Sequence, residues 1–319
     1  MEILTFEDLQ RQIQDLYHQG EYARAGDLAA QYMAQFPEQA PILYYWRSAM
    51  AARLGQTPQA VDLLRQVLEA GFWFGEPLLR RSPSYQSLQG APEFEKLVTL
   101  NQRLHEADPT LAYPLLTLRS EGRCQAGGEP CPLLVALHDR AAAAQGSVDF
   151  WRGAASTGWL VAVPQSTQAM WKGAYNWDDR EAAAQQVQKH LKALEGKYAV
   201  DPRQAVLAGH GQGGDTAIWL ALTDAIRVQG FIAINPSGLL LDEPDSWPEL
   251  IRESRNAELR AYFILGAEDE TISHESLEAL AEALEREGIS SEIEEVSHAG
   301  HDFFPGFEDA LQRALDFVT

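Results

Sequence analysis

Basic residues are in short supply: 25 Lys and Arg stand against 46 Asp and Glu, a formal charge of −21. A nucleic-acid partner requires a positive face that displaces counterions from phosphates, so no such partner is expected. An anionic membrane surface is disfavoured on the same ground, and acidity of this size ordinarily serves solubility. Long apolar runs are missing as well. Trp159–Pro164 and Ala217–Leu222 reach only strand or half-helix length, well below the roughly 18 residues that span a bilayer. Met1–Gln10 is acidic where an export signal would be basic, so the expectation is a cytoplasmic chain with no membrane anchor. Cysteine is scarce too. Cys124 and Cys131 lie in a glycine-rich stretch where they could clip a hairpin, and in a reducing cytosol they are expected as free thiols. What remains is an ordinary globular composition, 45% hydrophobic and 22% charged. At 319 residues it is enough for about two domains.

The first hundred residues show helical periodicity and no strand pattern. Phe6, Leu9, Ile13 and Leu16 share a helical face. Gly20-Glu21-Tyr22-Ala23-Arg24-Ala25 ends that stretch and opens a second, which stops at Pro37. Gly55 and Ala60 repeat the glycine and alanine of the turn. A period near 34 with Gly, an aromatic, Ala and Pro resembles the tetratricopeptide (TPR) repeat, and the resemblance implies a surface for a protein partner. Proline disfavours helix at the residue before it, which places a boundary at Asp108-Pro109. The expected division is a helical module over 1–108 and a second domain over 109–319. The first part holds 9 basic and 14 acidic residues, so most of the negative charge lies in the second.

From residue 109 the pattern changes to short apolar strands alternating with helices. Strands are expected at Leu115–Arg119, Leu133–His138, Trp159–Pro164, Gln204–Ala208, Phe231–Ile234, Tyr262–Leu265 and Glu292–Val296. Helical patterns between them include Asp179–Leu194 and His274–Glu287. Such alternation means a mostly parallel sheet covered by helices on both faces, with functional residues at the carboxyl ends of its strands.

One of those ends reads Gly209-His210-Gly211-Gln212-Gly213-Gly214-Asp215, between a strand and a helix. This has the shape of the nucleophile elbow G-x-S-x-G, with Gly211 at the centre where the nucleophile belongs. The loop lacks the spacing of a dinucleotide fingerprint and the Lys-Ser/Thr ending of a nucleotide P-loop. The surrounding motifs complete the picture. His138-Asp139-Arg140 follows a strand, Gly266-Ala267-Glu268-Asp269 follows another, and Ser297-His298-Ala299-Gly300-His301-Asp302-Phe303 follows the last. Residues 111–319 thereby resemble an α/β-hydrolase, most closely the phospholipase/carboxylesterase branch. The resemblance implies Asp269 as triad acid and His301 as general base. It also implies an oxyanion hole from the backbone of Gln212 with Asp139 or Arg140. Members of this family usually carry glycine where Asp139 stands.

Other residues weigh less. His138, Trp171, Tyr175, Trp177 and Phe303 are candidates to line an acyl pocket, although aromatics in such loops serve equally as packing. His298, His301 and Asp302 have a metal-like spacing without a third convergent ligand, so neither metal nor cofactor is expected. Ser166 and Ser237 follow strand ends but sit on no elbow. Three readings follow for an acyl-ester ligand: a serine esterase silenced by glycine at residue 211, a pseudoenzyme binding module, and a weak hydrolase in which His301 activates water. All three leave serine chemistry absent from the chain as written. The expectation is a carboxylic-ester or thioester hydrolase scaffold that is inactive, with the binding module and the weak hydrolase as alternatives.

Overall fold

The computed structural model describes residues 5–112, 114–254 and 258–319. The chain divides into two compact units, Met1–Leu111 with Ala169–Lys172, and Ala112–Gln168 with Gly173–Thr319.

The first unit is built from helices Phe6–His18, Tyr22–Tyr32, Ala40–Arg53, Thr57–Glu69, Glu76–Arg80 and Pro92–Glu106. Thr5 opens the first with a reciprocal cap: its hydroxyl accepts the Asp8 N–H and the Asp8 carboxylate accepts the Thr5 N–H. The turns at Gly20 and Gly55 hold φ of 78° and 71°, a left-handed conformation that glycine adopts without steric cost. Small residues let the third and fourth helices approach. Ser48 and Ala60 are both fully buried, and the Ser48 hydroxyl donates to the Ala60 carbonyl at 2.7 Å. The stretch between Gly71 and Gly90 wraps its aromatic side chains inward, with Trp73, Phe74 and Tyr85 buried. Asn101 pins this stretch, its amide oxygen accepting the Phe74 N–H and its amide nitrogen donating to the Phe74 carbonyl, both at 2.8 Å.

The second unit is centred on a seven-stranded sheet. Its strands are β1 (Leu115–Leu118), β2 (Cys131–Leu137), β3 (Leu160–Pro164), β6 (Val200–His210), β7 (Gly230–Ile234), β8 (Arg260–Gly266) and β9 (Ser290–Val296). The order is β1-β3-β2-β6-β7-β8-β9, with β1 antiparallel to β3 and every other pairing parallel. Strand alternation splits the core in two. Leu133, Val135, Leu207, Phe231 and Phe263 face one layer of helices, while Leu134, Ala136, Val206, Ile232 and Ile264 face the other. Being buried on both faces is why these strands read as continuous apolar runs rather than as alternating ones.

Two features depart from the sequence expectations. The loop after β3 contains a hairpin, β4 (Gln168–Trp171) and β5 (Ala174–Asn176), turning at Gly173 with φ 85°. The two cysteines are not free thiols: Cys124 and Cys131 form a disulfide with their Cα atoms 5.4 Å apart. The glycine-rich segment between them folds back on itself, the Gly128 N–H donating to the Gln125 carbonyl, and this brings the sulfurs together. No helix among the described residues is long and apolar enough to cross a membrane.

Candidate active site

Strand β6 ends at His210, and the chain turns through Gly211, with φ 52° and ψ −121°, into helix Gln212–Leu222. The tightness of this turn explains its glycines. A Cβ on Gly209 would overlap the backbone of Gly213, and one on Gly213 would overlap the carbonyls of Leu137 and His138. The Gly211 carbonyl accepts from the Gly214 and Asp215 N–H groups inside the new helix and from the Ser237 N–H.

What fills the space above Gly211 is Asp139, from the end of β2. A Cβ on residue 211 would overlap the Asp139 carboxylate, at both Oδ1 and Cγ. Oδ1 accepts the backbone N–H of Gln212 at 2.7 Å and of Arg140 at 2.6 Å. These are the donors that the motif assigns to an oxyanion, so the chain's own carboxylate occupies the hole. Oδ2 faces two imidazoles, His301 Nε2 at 3.4 Å and His210 Nδ1 at 3.8 Å.

His301 is held between two carboxylates. Its Nδ1 donates to Asp269 Oδ2 at 2.7 Å, with the Thr271 hydroxyl also 2.8 Å away. Burial opposes its charge, but the hydrogen bonds and charges of Asp139 and Asp269 prevail and raise its pKa to about 10. Burial likewise works against both carboxylates. The hydrogen bonds with His301, aided by Gln212 at one and Thr271 at the other, keep Asp139 and Asp269 below the usual carboxylate range. This is a carboxylate–imidazolium–carboxylate row, which leaves His301 without a free lone pair to act as general base at neutral pH.

Several supporting residues escaped the motif search. Asn235, fully buried with φ 41°, donates through Nδ2 to the carbonyls of Gly300 and His301 and accepts the Gly266 N–H through Oδ1. It thereby ties the histidine loop to the strand that carries the acid. Thr271 fixes Asp269 with both its N–H and its hydroxyl. Asp178 pairs with the Arg140 guanidinium at 2.7 Å and accepts from Gln212 Nε2 at 2.7 Å. The only sequence signal for these was their place just beyond a strand or within an acidic loop. His210, the elbow residue before Gly211, packs on Phe303 with ring centroids 4.7 Å apart, while its Nε2 donates to the His301 carbonyl at 2.6 Å and its Nδ1 faces Asp139.

The pocket candidates are placed differently from one another. His138 is fully buried. Its Nδ1 donates to the Asp139 carbonyl, its Nε2 accepts the Ser166 N–H, and burial lowers its pKa to about 4. Trp177 donates its indole N–H to the His138 carbonyl, and the Tyr175 ring packs edge-on against His138. These three form a buried wall under the Asp139 loop rather than an open lining. Phe303 stacks on Phe150 at 4.0 Å as well as on His210. Trp171 belongs to the first unit, bridged to Phe74 and packed on the helical core. His298 is exposed and pairs with Glu268, and the Ser166 hydroxyl donates to the Asn176 carbonyl.

Residues 154–312 match the model of the dienelactone hydrolase family, across the elbow, the acid and the histidine. With the parallel sheet, the positive-φ turn and the Asp269–His301 pair, the assignment is settled. The second unit has the α/β-hydrolase fold. Residues 5–108 match the model of an A/B hydrolase-like N-terminal domain, and no curated protein matches the sequence. Among solved structures, an uncharacterized protein from Bacillus cereus ATCC 10987 aligns over 99% of both chains at 21% identity with a TM-score of 0.53. Esterase PE8 covers 65% of this chain and 98% of its own at 16% identity, TM-score 0.52. A dienelactone hydrolase-like promiscuous phosphotriesterase, P91, from metagenomic libraries covers 65% and 92% at 16% identity, TM-score 0.51. At these identities the likeness is one of fold alone.

Proposed function

We propose that this chain is an ester-class hydrolase in which water, rather than a side chain of residue 211, attacks the acyl carbon. The observation that carries this reading is the exclusion between Asp139 and any side chain at 211: the carboxylate occupies the volume a serine Cβ would need. No acyl-enzyme on residue 211 is available, so the double displacement of a serine esterase gives way to a single displacement. Asp139 Oδ2, His301 Nε2 and His210 Nδ1 converge beside this position. The Asp139 carboxylate takes the proton of the attacking water as the water oxygen bonds to the acyl carbon, the ester C–O bond breaks, and the His301 imidazolium protonates the departing alkoxide. The match to the dienelactone hydrolase model and the esterase-like neighbours supports carboxylic esters as the substrate class.

A short p-nitrophenyl ester with a fluorophosphonate probe tests this. The chain is expected to turn the ester over linearly, without a burst, and to resist the fluorophosphonate. Gly211→Ser alone should remain unlabelled, because its Cβ meets Asp139, whereas the double variant Asp139→Gly/Gly211→Ser should become labelled. Labelling and inactivation of the unmodified chain would refute water attack, and absence of turnover above the buffer rate would leave a binding protein in place of an enzyme.

A further inference from the structure

We propose that Asp139, His210 and His301 form a binding site for one divalent transition-metal ion, best matched by Zn2+, with water completing its coordination. Among the described residues this is the one group of three side chains whose potential ligand atoms all lie within 4.8 Å of one another.

The hydrogen bonds around each ring set its orientation. His210 uses Nε2 to donate to the His301 carbonyl, and His301 uses Nδ1 to donate to Asp269. A neutral imidazole that donates from one nitrogen presents a lone pair at the other. His210 Nδ1 therefore turns a lone pair toward Asp139 Oδ2, and His301 Nε2 does the same once it gives up the proton it shares with Asp139. A divalent cation that displaces that proton meets three convergent ligand atoms, one oxygen and two nitrogens, all within 4.8 Å of one another. Zinc binds nitrogen and oxygen at about 2.0–2.2 Å in a tetrahedron, which sets neighbouring ligands about 3.4 Å apart. The observed separations from Asp139 Oδ2 are 3.4 Å to His301 and 3.8 Å to His210.

The surroundings fit as well. Metal-bound histidines characteristically donate their second N–H to a carboxylate or a backbone carbonyl, and here one of each is in place. Asn235 steadies the carbonyl that receives the His210 N–H. Asp139 is pinned through Oδ1 by two backbone N–H groups, which leaves Oδ2 as a fixed single-oxygen ligand. Two imidazoles and one carboxylate suit zinc better than magnesium or calcium, which prefer all-oxygen shells. Bound zinc would lower the pKa of its water toward 7 and polarise an ester carbonyl. The inference gives the water-attack reading its activating group, but binding of the ion does not depend on that reading.

The test is zinc titration of the full-length, chelator-stripped protein in competition with a chromophoric chelator. One ion per chain is expected. His210→Ala and Asp139→Ala should each weaken binding at least 100-fold, and Asp269→Asn, which removes only a supporting partner, about 10- to 100-fold. His298→Ala should leave it unchanged. Cobalt in the unmodified chain gives a readout that needs no variant: intense four-coordinate visible bands uphold the site, and a six-coordinate spectrum overturns it. Retention of zinc by His210→Ala and Asp139→Ala at parental affinity would also overturn it. Zinc bound in the expected pattern without ester turnover upholds the site and removes the hydrolase reading. Turnover by the stripped protein with no zinc affinity does the reverse.

Discussion

Residue 211 holds φ at 52° with Asp139 directly above it. Serine there would carry positive-φ strain of about 1–3 kcal/mol and a steric overlap besides. Gly211→Ser is expected to lower unfolding stability by about 2–4 kcal/mol in urea, and the added Asp139→Gly change to recover the steric part. His138 makes a separate prediction about pH. Its native pKa near 4 lies below the unfolded value of 6.5, so the unfolded chain binds the proton first. The contribution of His138 is complete above pH 6.5 and is lost as pH falls toward 4, with about 2 kcal/mol gone between pH 7 and pH 5. Urea midpoints of the parent and His138→Gln should show that difference in slope. Gly211, Gln212, Asp269 and His301 were legible because the junctions between strands and helices fix their spacing. The direction of the Asp139 side chain was not, since it depends on a neighbour that sequence order places 72 positions away.

At the scale of elements, the five inner strands of the sheet could be read from apolar runs, and their two-sided burial explains why, whereas edge strand β9 is mostly polar. The hairpin β4–β5 could not, because its residues are half-polar and its pairing is local. The disulfide also escaped the reading, which weighed compartment above geometry. In the chain-entropy view, cross-linking so short a loop contributes about 2–3 kcal/mol. Reduction with dithiothreitol should lower the urea midpoint correspondingly, and Cys124→Ser/Cys131→Ser should not respond to reductant. In the helical unit, Asn101→Leu would strand the buried N–H and carbonyl of Phe74, at about 1–3 kcal/mol for each group. Loss of the helical signal at lower urea would register it.

For the whole molecule, a ligand that binds only the native state stabilises it by mass action. Zinc at a hundred times its dissociation constant adds about 2.7 kcal/mol, a rise of about 5–10 °C in the melting temperature of a unit of this size. Differential scanning fluorimetry with zinc should show that rise for the parent and lose it for His210→Ala. The charge of −21 was the most legible global property, and it sets the sign of the partners the surface repels. The overlap between Asp139 and a side chain at 211 also couples the two positions. A side chain at 211 needs the Asp139 carboxylate to rotate away or be removed, so substitutions at the two positions should be markedly non-additive in a double-mutant cycle.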